Sequence, residues 1–146
     1  MPTYSCTVAE GQLSQSQKAA IAKAITDIHC RVAVAPTYFA QVIFNEVKPG
    51  NHFVAGRPLD HKTVYVYGTI RTGRPADVKK ALLKELTAAL AEAAGLPSTQ
   101  VWIYLTELEG RQMVEFGQIL PAPGEEDAWA AALPADIRAF MEGKGR

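Results

Sequence analysis

The chain has 146 residues, 48% of them hydrophobic, and its 15 basic and 15 acidic side chains cancel to a formal net charge of zero. That length suits one domain with a real core, and nothing in the charge balance favours nucleic acid or an anionic membrane as a general partner. No apolar run approaches the roughly 18 residues of a membrane span, and the N-terminus does not read as a secretory signal, so a soluble protein is expected.

Pro2 directly follows the initiator methionine. A small second residue is the usual signal for removing Met1, which predicts a mature chain that starts with a free secondary amine. An α-amino group has a reference pKa of about 7.7 to 8.0, so modest burial or a nearby charge decides whether it is an acid or a base at neutral pH. Residues 2–8 read as a strand that stops at the Gly11 turn. Ser14 or Ser16 can cap a following helix, in which Ile21, Ile25, Ile28 and Val32 fall on one face. Ala35-Pro36 breaks it, and residues 39–45 read as a second strand, parallel to the first across a right-handed crossover. Residues 47–62 contain two glycines and two prolines without a clear period, which predicts a long loop or irregular hairpin.

Residues 64–70 form the third predicted strand. Pro75 suits the first position of a second helix, with Val78, Leu82, Leu86, Leu90 and Ala93 as its stripe. Gly95-Leu96-Pro97 ends that helix, and residues 101–106 are the fourth strand. Pro36 and Pro97 are 61 positions apart, and at the same offset Val42 meets Ile103 and Glu46 meets Glu107. The expected architecture is therefore a doubled βαβ unit in a single α/β domain spanning 1–146. The first repeat is about 2–46, the second about 63–107, and 108–146 is a C-terminal extension with a short strand at 113–117 and two short helices. A four-stranded sheet would carry two helices on one face, and its other face would need covering by a second subunit. At the same offset Pro2 meets Thr63, so the two halves differ chemically.

Six residues carry candidate chemistry. Arg71 and Arg74 flank Gly73 at a strand-to-helix turn, where the helix N-terminus adds positive potential for a carboxylate or phosphate. His29 lies beside the first helical stripe, at a position that calls for a hydrogen-bond partner. Tyr104 is in the fourth strand, and Glu115 stands between Val114 and Phe116, where a carboxylate could act as a base for water. His52 and His61 in the loop, and Cys6 and Cys30, have no metal-ligand spacing. The cysteines read as buried apolar residues of a cytoplasmic protein rather than a disulfide.

Pro2, His29, Arg71, Arg74, Tyr104 and Glu115, in this order on a doubled βαβ frame, resemble the tautomerase superfamily and, within it, the cis-3-chloroacrylic acid dehalogenase group. The most specific stretches are Ala24-Ile25-Thr26-Asp27, Arg71-Thr72-Gly73-Arg74, Val101-Trp102-Ile103-Tyr104, and residues 113–117 leading to 120–124. Phe116 stands where those dehalogenases tend to have tyrosine. The resemblance implies a homotrimer without cofactor or metal, acting on a small carboxylate. Arg71, Arg74 and His29 would hold that carboxylate, Glu115 and Tyr104 would activate water, and Pro2 would be the general acid. The implied reaction is hydration or hydrolytic dehalogenation of a cis-3-haloacrylate or an acetylenic acid. The alternatives are keto-enol tautomerisation of the phenylpyruvate type and a catalytically idle binding member of the fold.

Overall fold

The computed structural model describes residues 2–144. Strand β1 (Thr3–Ala9) alternates, with Tyr4, Cys6 and Val8 fully buried on one face. Helix α1 (Gln15–Val32) starts at Ser14, not Ser16. Ser14 Oγ accepts from the Gln17 amide at 3.2 Å, and Gln17 Oε1 accepts from the Ser14 amide at 3.0 Å, a reciprocal cap. Ile21 and Ile25 bury completely, and the next inward position is His29.

Strand β2 covers Gln41–Val47, two residues later than expected. Phe39 instead closes a 3₁₀ turn, Thr37–Phe39, and its ring packs on Tyr38 and Trp129 with centroids 4.6 and 6.2 Å away. Burial in an aromatic cluster outweighs its strand propensity. The long loop folds as a hairpin of β3 (Phe53–Val54) and β4 (Arg57–Pro58). Its tip residues Ala55 and Gly56 have φ of 52° and 75°, as a tight primed turn requires.

Strand β5 (Val64–Arg71) leads to α2 (Ala76–Ala94). Pro75 is the residue before the helix rather than its first, and Leu82, Leu86 and Leu90 line the buried face. Strand β6 (Val101–Leu108) completes the sheet. The expected strand at 113–117 is a second hairpin, β7 (Val114–Glu115) and β8 (Gln118–Ile119), followed by α3 (Glu126–Ala132) and α4 (Ala135–Lys144).

The strand order is β2-β1-β5-β6, with parallel outer pairs and an antiparallel centre. Helices α1 and α2 cover one face, over a core of Tyr4, Val8, Ile25, Val66 and Leu86. The halves match in detail at an offset of 61. Lys18–Glu46 and Lys79–Glu107 are ion pairs of 2.7 Å each. The Leu59 amide donates to the His52 carbonyl at 2.8 Å, and the Leu120 amide to the Met113 carbonyl at 3.0 Å. The equivalence thus continues past Glu107 through both hairpins. Leu120, Leu133, Met141 and Phe39 form a second core that docks α3 and α4 beside the end of α1.

Register places the functional end of the sheet. Thr3 pairs with both Gln41 and Thr69, and Arg71 pairs with Leu108. The start of β1 and the end of β5 therefore share one edge, from which the β7–β8 hairpin also leaves.

Candidate active site

Pro2 is buried at this edge, and its carbonyl accepts from the Gln41 amide at 2.9 Å. One step beyond the Thr3–Thr69 pair, it is level with Ile70, next to Arg71. The expected removal of Met1 lies outside the described residues.

Arg71 is the last residue of β5 and only 6% exposed. Its guanidinium donates to Glu126 at the start of α3 and, at 3.3 Å, to the Pro121 carbonyl. Burial opposes ionisation of Glu126, but hydrogen bonds from its own backbone amide and from Arg71 outweigh it and hold the carboxyl below its usual range. Gly110 makes the Arg71 contacts possible, since a Cβ there would collide with the Pro121 carbonyl. Arg74, carried back by the turn at Gly73, donates to the Arg71 carbonyl at 2.6 Å. Burial, then the neighbouring Arg71 charge, lowers its pKa.

His29 is fully buried, and its Nδ1 lies 2.8 Å from the Tyr4 hydroxyl. Burial pushes the Tyr4 phenol well up, so it stays protonated. Burial first, and Arg74 second, bring the His29 pKa down to about 3, so the ring is neutral at pH 7. With the phenol donating to Nδ1, the ring hydrogen is assigned to Nε2. Among the described residues, the buried side-chain nitrogens and oxygens without a hydrogen-bond partner are His29 Nε2, Arg71 Nε and Arg74 Nε. Buried polar groups are normally paired, and these three unpaired nitrogens belong to neighbouring residues and are each able to donate.

A cavity of about 710 Å³ opens beside the arginines. Its walls come from the α1 exit, including Val32, Val34 and Pro36, from the turn at 71–75, and from Pro123, Glu126 and Trp129 of the extension. Glu115 is not in it. That residue lines an adjoining cavity with Thr3, Gln41 and Met113, and Tyr38 and Phe39 border both. Tyr104 is elsewhere again, on the uncovered sheet face, with its ring edge-on to Tyr65 at 5.3 Å in a smaller cavity with His52, His61 and Trp102. His61 pairs there with Asp60 at 2.9 Å. The fold thus gathers Pro2, Arg71, Arg74 and His29 at one end, places Glu115 beside them, and leaves Tyr104 apart.

Tyr4, Gly110, Pro121 and Glu126 support this arrangement without having been legible as site residues. Glu126 is one of three consecutive acidic residues, and nothing in that run distinguishes it. Among the described residues, no group of three or more His, Cys, Asp or Glu side chains could hold a metal ion, and no helix is long and apolar enough to cross a membrane.

Comparison with known proteins identifies the family of the fold. Residues 1–132 match the family described as "Putative oxalocrotonate tautomerase enzyme". A crystal structure of N1, a member of the cis-3-chloroacrylic acid dehalogenase family, is 38% identical, covering 97% of this chain and 99% of its own, with a TM-score of 0.92. Native Ps01740 is 30% identical over 77% of this chain and 99% of its own, with a TM-score of 0.73. A fused 4-OT solved as a symmetric trimer shares the fold at 24% identity, covering 84% of this chain and 98% of its own, with a TM-score of 0.74. No curated protein matches the sequence. The chain belongs to the tautomerase superfamily, in its cis-3-chloroacrylic acid dehalogenase-like group.

Proposed function

We propose that this protein is a cofactor-independent enzyme that adds water across a conjugated multiple bond of an unsaturated carboxylic acid, a cis-3-haloacrylate or an acetylenic acid. The observation that carries this reading is the set of three orphaned buried nitrogens on His29, Arg71 and Arg74 beside the buried Pro2. They receive the substrate carboxylate. His29 contributes as a neutral donor, and the guanidinium charges draw electrons from the carbon distal to the carboxylate. Glu115 removes a proton from the attacking water, whose oxygen bonds to that carbon. Pro2 delivers a proton to the carbon next to the carboxylate. An alkynoate gains one water and becomes a β-keto acid. A 3-haloacrylate gains water and loses halide and a proton.

The Arg71–Glu126 pair favours Pro2 as the acid. Neutralising one of two nearby cations removes part of the reason for an amine to shed its proton. Tyr104 takes part from a neighbouring subunit of a homotrimer, because its own sheet carries it away from Pro2. We place the enzyme in the cytoplasm, in keeping with two free cysteines.

The test is a proton NMR time course with cis-3-chloroacrylate, propiolate and phenylenolpyruvate, using protein shown by mass spectrometry to begin at Pro2. Malonate semialdehyde, or the acetaldehyde it leaves on losing carbon dioxide, from either of the first two supports hydration. Ketonisation of the enol alone would make the protein a tautomerase, with Pro2 acting as a neutral base.

A further inference from the structure

The cavity next to the carboxylate cradle is far larger than a three-carbon acid requires. Such an acid has about six non-hydrogen atoms and fills only a few water-sized volumes of about 30 Å³ each. The cavity has about 710 Å³, within the range of sites that enclose much larger ligands. Away from Arg71, Thr72, Arg74 and the acidic pair Glu126–Asp127, its lining is mostly apolar or aromatic: Val32, Pro36, Tyr38, Phe39, Val78 and Trp129. Val34 adds a second observation. It lies on the cavity wall, 89% exposed. Its φ of +49° belongs to the end of α1, where the Ala35 amide donates to the Cys30 carbonyl at 3.0 Å. Its apolar surface, however, is left in water, a cost that an apolar group lying on it removes.

We propose that the substrate of this site carries an aryl group, or one of similar bulk, on the carbon distal to its carboxylate. The carboxylate then sits on the arginines and the ring enters the space between Val34, Pro36, Tyr38 and Trp129. The inference rests on the carboxylate-binding reading above, and it makes three-carbon acids the poorer substrates. For an arylpropiolate the atoms balance as before: water oxygen bonds to the aryl-bearing carbon, Pro2 protonates the other, and the enol settles to a 3-aryl-3-oxopropanoate.

Binding and turnover are measured separately on the mature full-length protein. Calorimetry compares the unreactive 3-phenylpropionate with propionate, and initial rates compare phenylpropiolate with propiolate. The expected result is at least tenfold tighter binding of the phenyl compound, about 1.4 kcal/mol, and a kcat/KM at least tenfold higher for phenylpropiolate. Ala130→Phe, which narrows the cavity, should bring the two dissociation constants together. Equal binding of the two acids in the wild type, or faster hydration of propiolate, would overturn the inference. Preferential phenyl binding with neither alkynoate hydrated would leave the inference standing and remove the hydration reading instead.

Discussion

At the scale of single residues, the decisive fact is that the site holds its charges unequally. His29 is buried and neutral, with its pKa near 3 through burial and then Arg74. The unfolded chain takes up a proton near the ordinary value of 6.5. Between those two values the unfolded state binds more protons than the native one, so stability rises with pH across that window. The His29 contribution is complete above about pH 6.5 and is lost as pH falls toward 3. Urea unfolding at several pH values should therefore show a slope that His29→Phe flattens; an unchanged slope would mean that His29 is already protonated when folded. Glu126 is the second case. Glu126→Gln removes the negative charge paired with Arg71, which should lower the Pro2 pKa by about one unit. Nitrogen-15 NMR of the terminal proline reads that shift directly, and the alkaline limb of the pH–rate profile, where Pro2 loses its proton, should move down with it.

At the scale of elements, the two arginines depend on the turn between them. Gly73 has φ of +97°, and a Cβ there would lie 2.6 Å from Pro123 Cγ of the extension. Gly73→Ala should cost about 1–3 kcal/mol through backbone strain and displacement of Pro123. The melting temperature would drop by several degrees, and binding of 3-phenylpropionate would weaken along with it. The strands and helices around this turn were legible because their signals are local: alternation in β1, the Leu82–Leu86–Leu90 stripe, and the offset of 61 that ties Pro36 to Pro97. The end of β1 and the turn at Arg71–Arg74 were legible too. What escaped was set by distant contacts. Phe39 left its expected strand for a cluster with Trp129, 90 positions away, and Arg71 found a carboxylate 55 positions on. No spacing rule links such residues; only the docking of α3 and α4 brings them together. The second hairpin was hidden for a different reason, since Phe116 adopts φ of +52°, a position that local propensity gives to Asn or Gly.

At the scale of the molecule, the open face of the sheet is the unfinished part. Ile43, Tyr67, Trp102 and Tyr104 are each 41–53% exposed there. Tyr104 pairs with Tyr67 on β5, and Tyr67 pairs with Ser5 on β1. With strands about 4.8 Å apart, Tyr104 stands roughly 10 Å across the sheet from the strand that carries Pro2. Its ring lies on the uncovered side, which in the proposed homotrimer would turn it toward the proline of another copy. In a closed ring of three such subunits, each site would combine Pro2 of one chain with Tyr104 of the next. Complementation tests that arrangement. Pro2→Ala and Tyr104→Phe should each be inactive or nearly so when assembled alone. Denatured together in equal amounts and refolded, they form mixed rings in which one site in about four has both an intact Pro2 and an intact Tyr104 across the boundary. Activity near a quarter of wild type, appearing only after mixing, is the expected result. Mixed rings as inactive as their parents would place Pro2 and Tyr104 of one chain in the same site, and an active Tyr104→Phe parent would place Tyr104 outside the site.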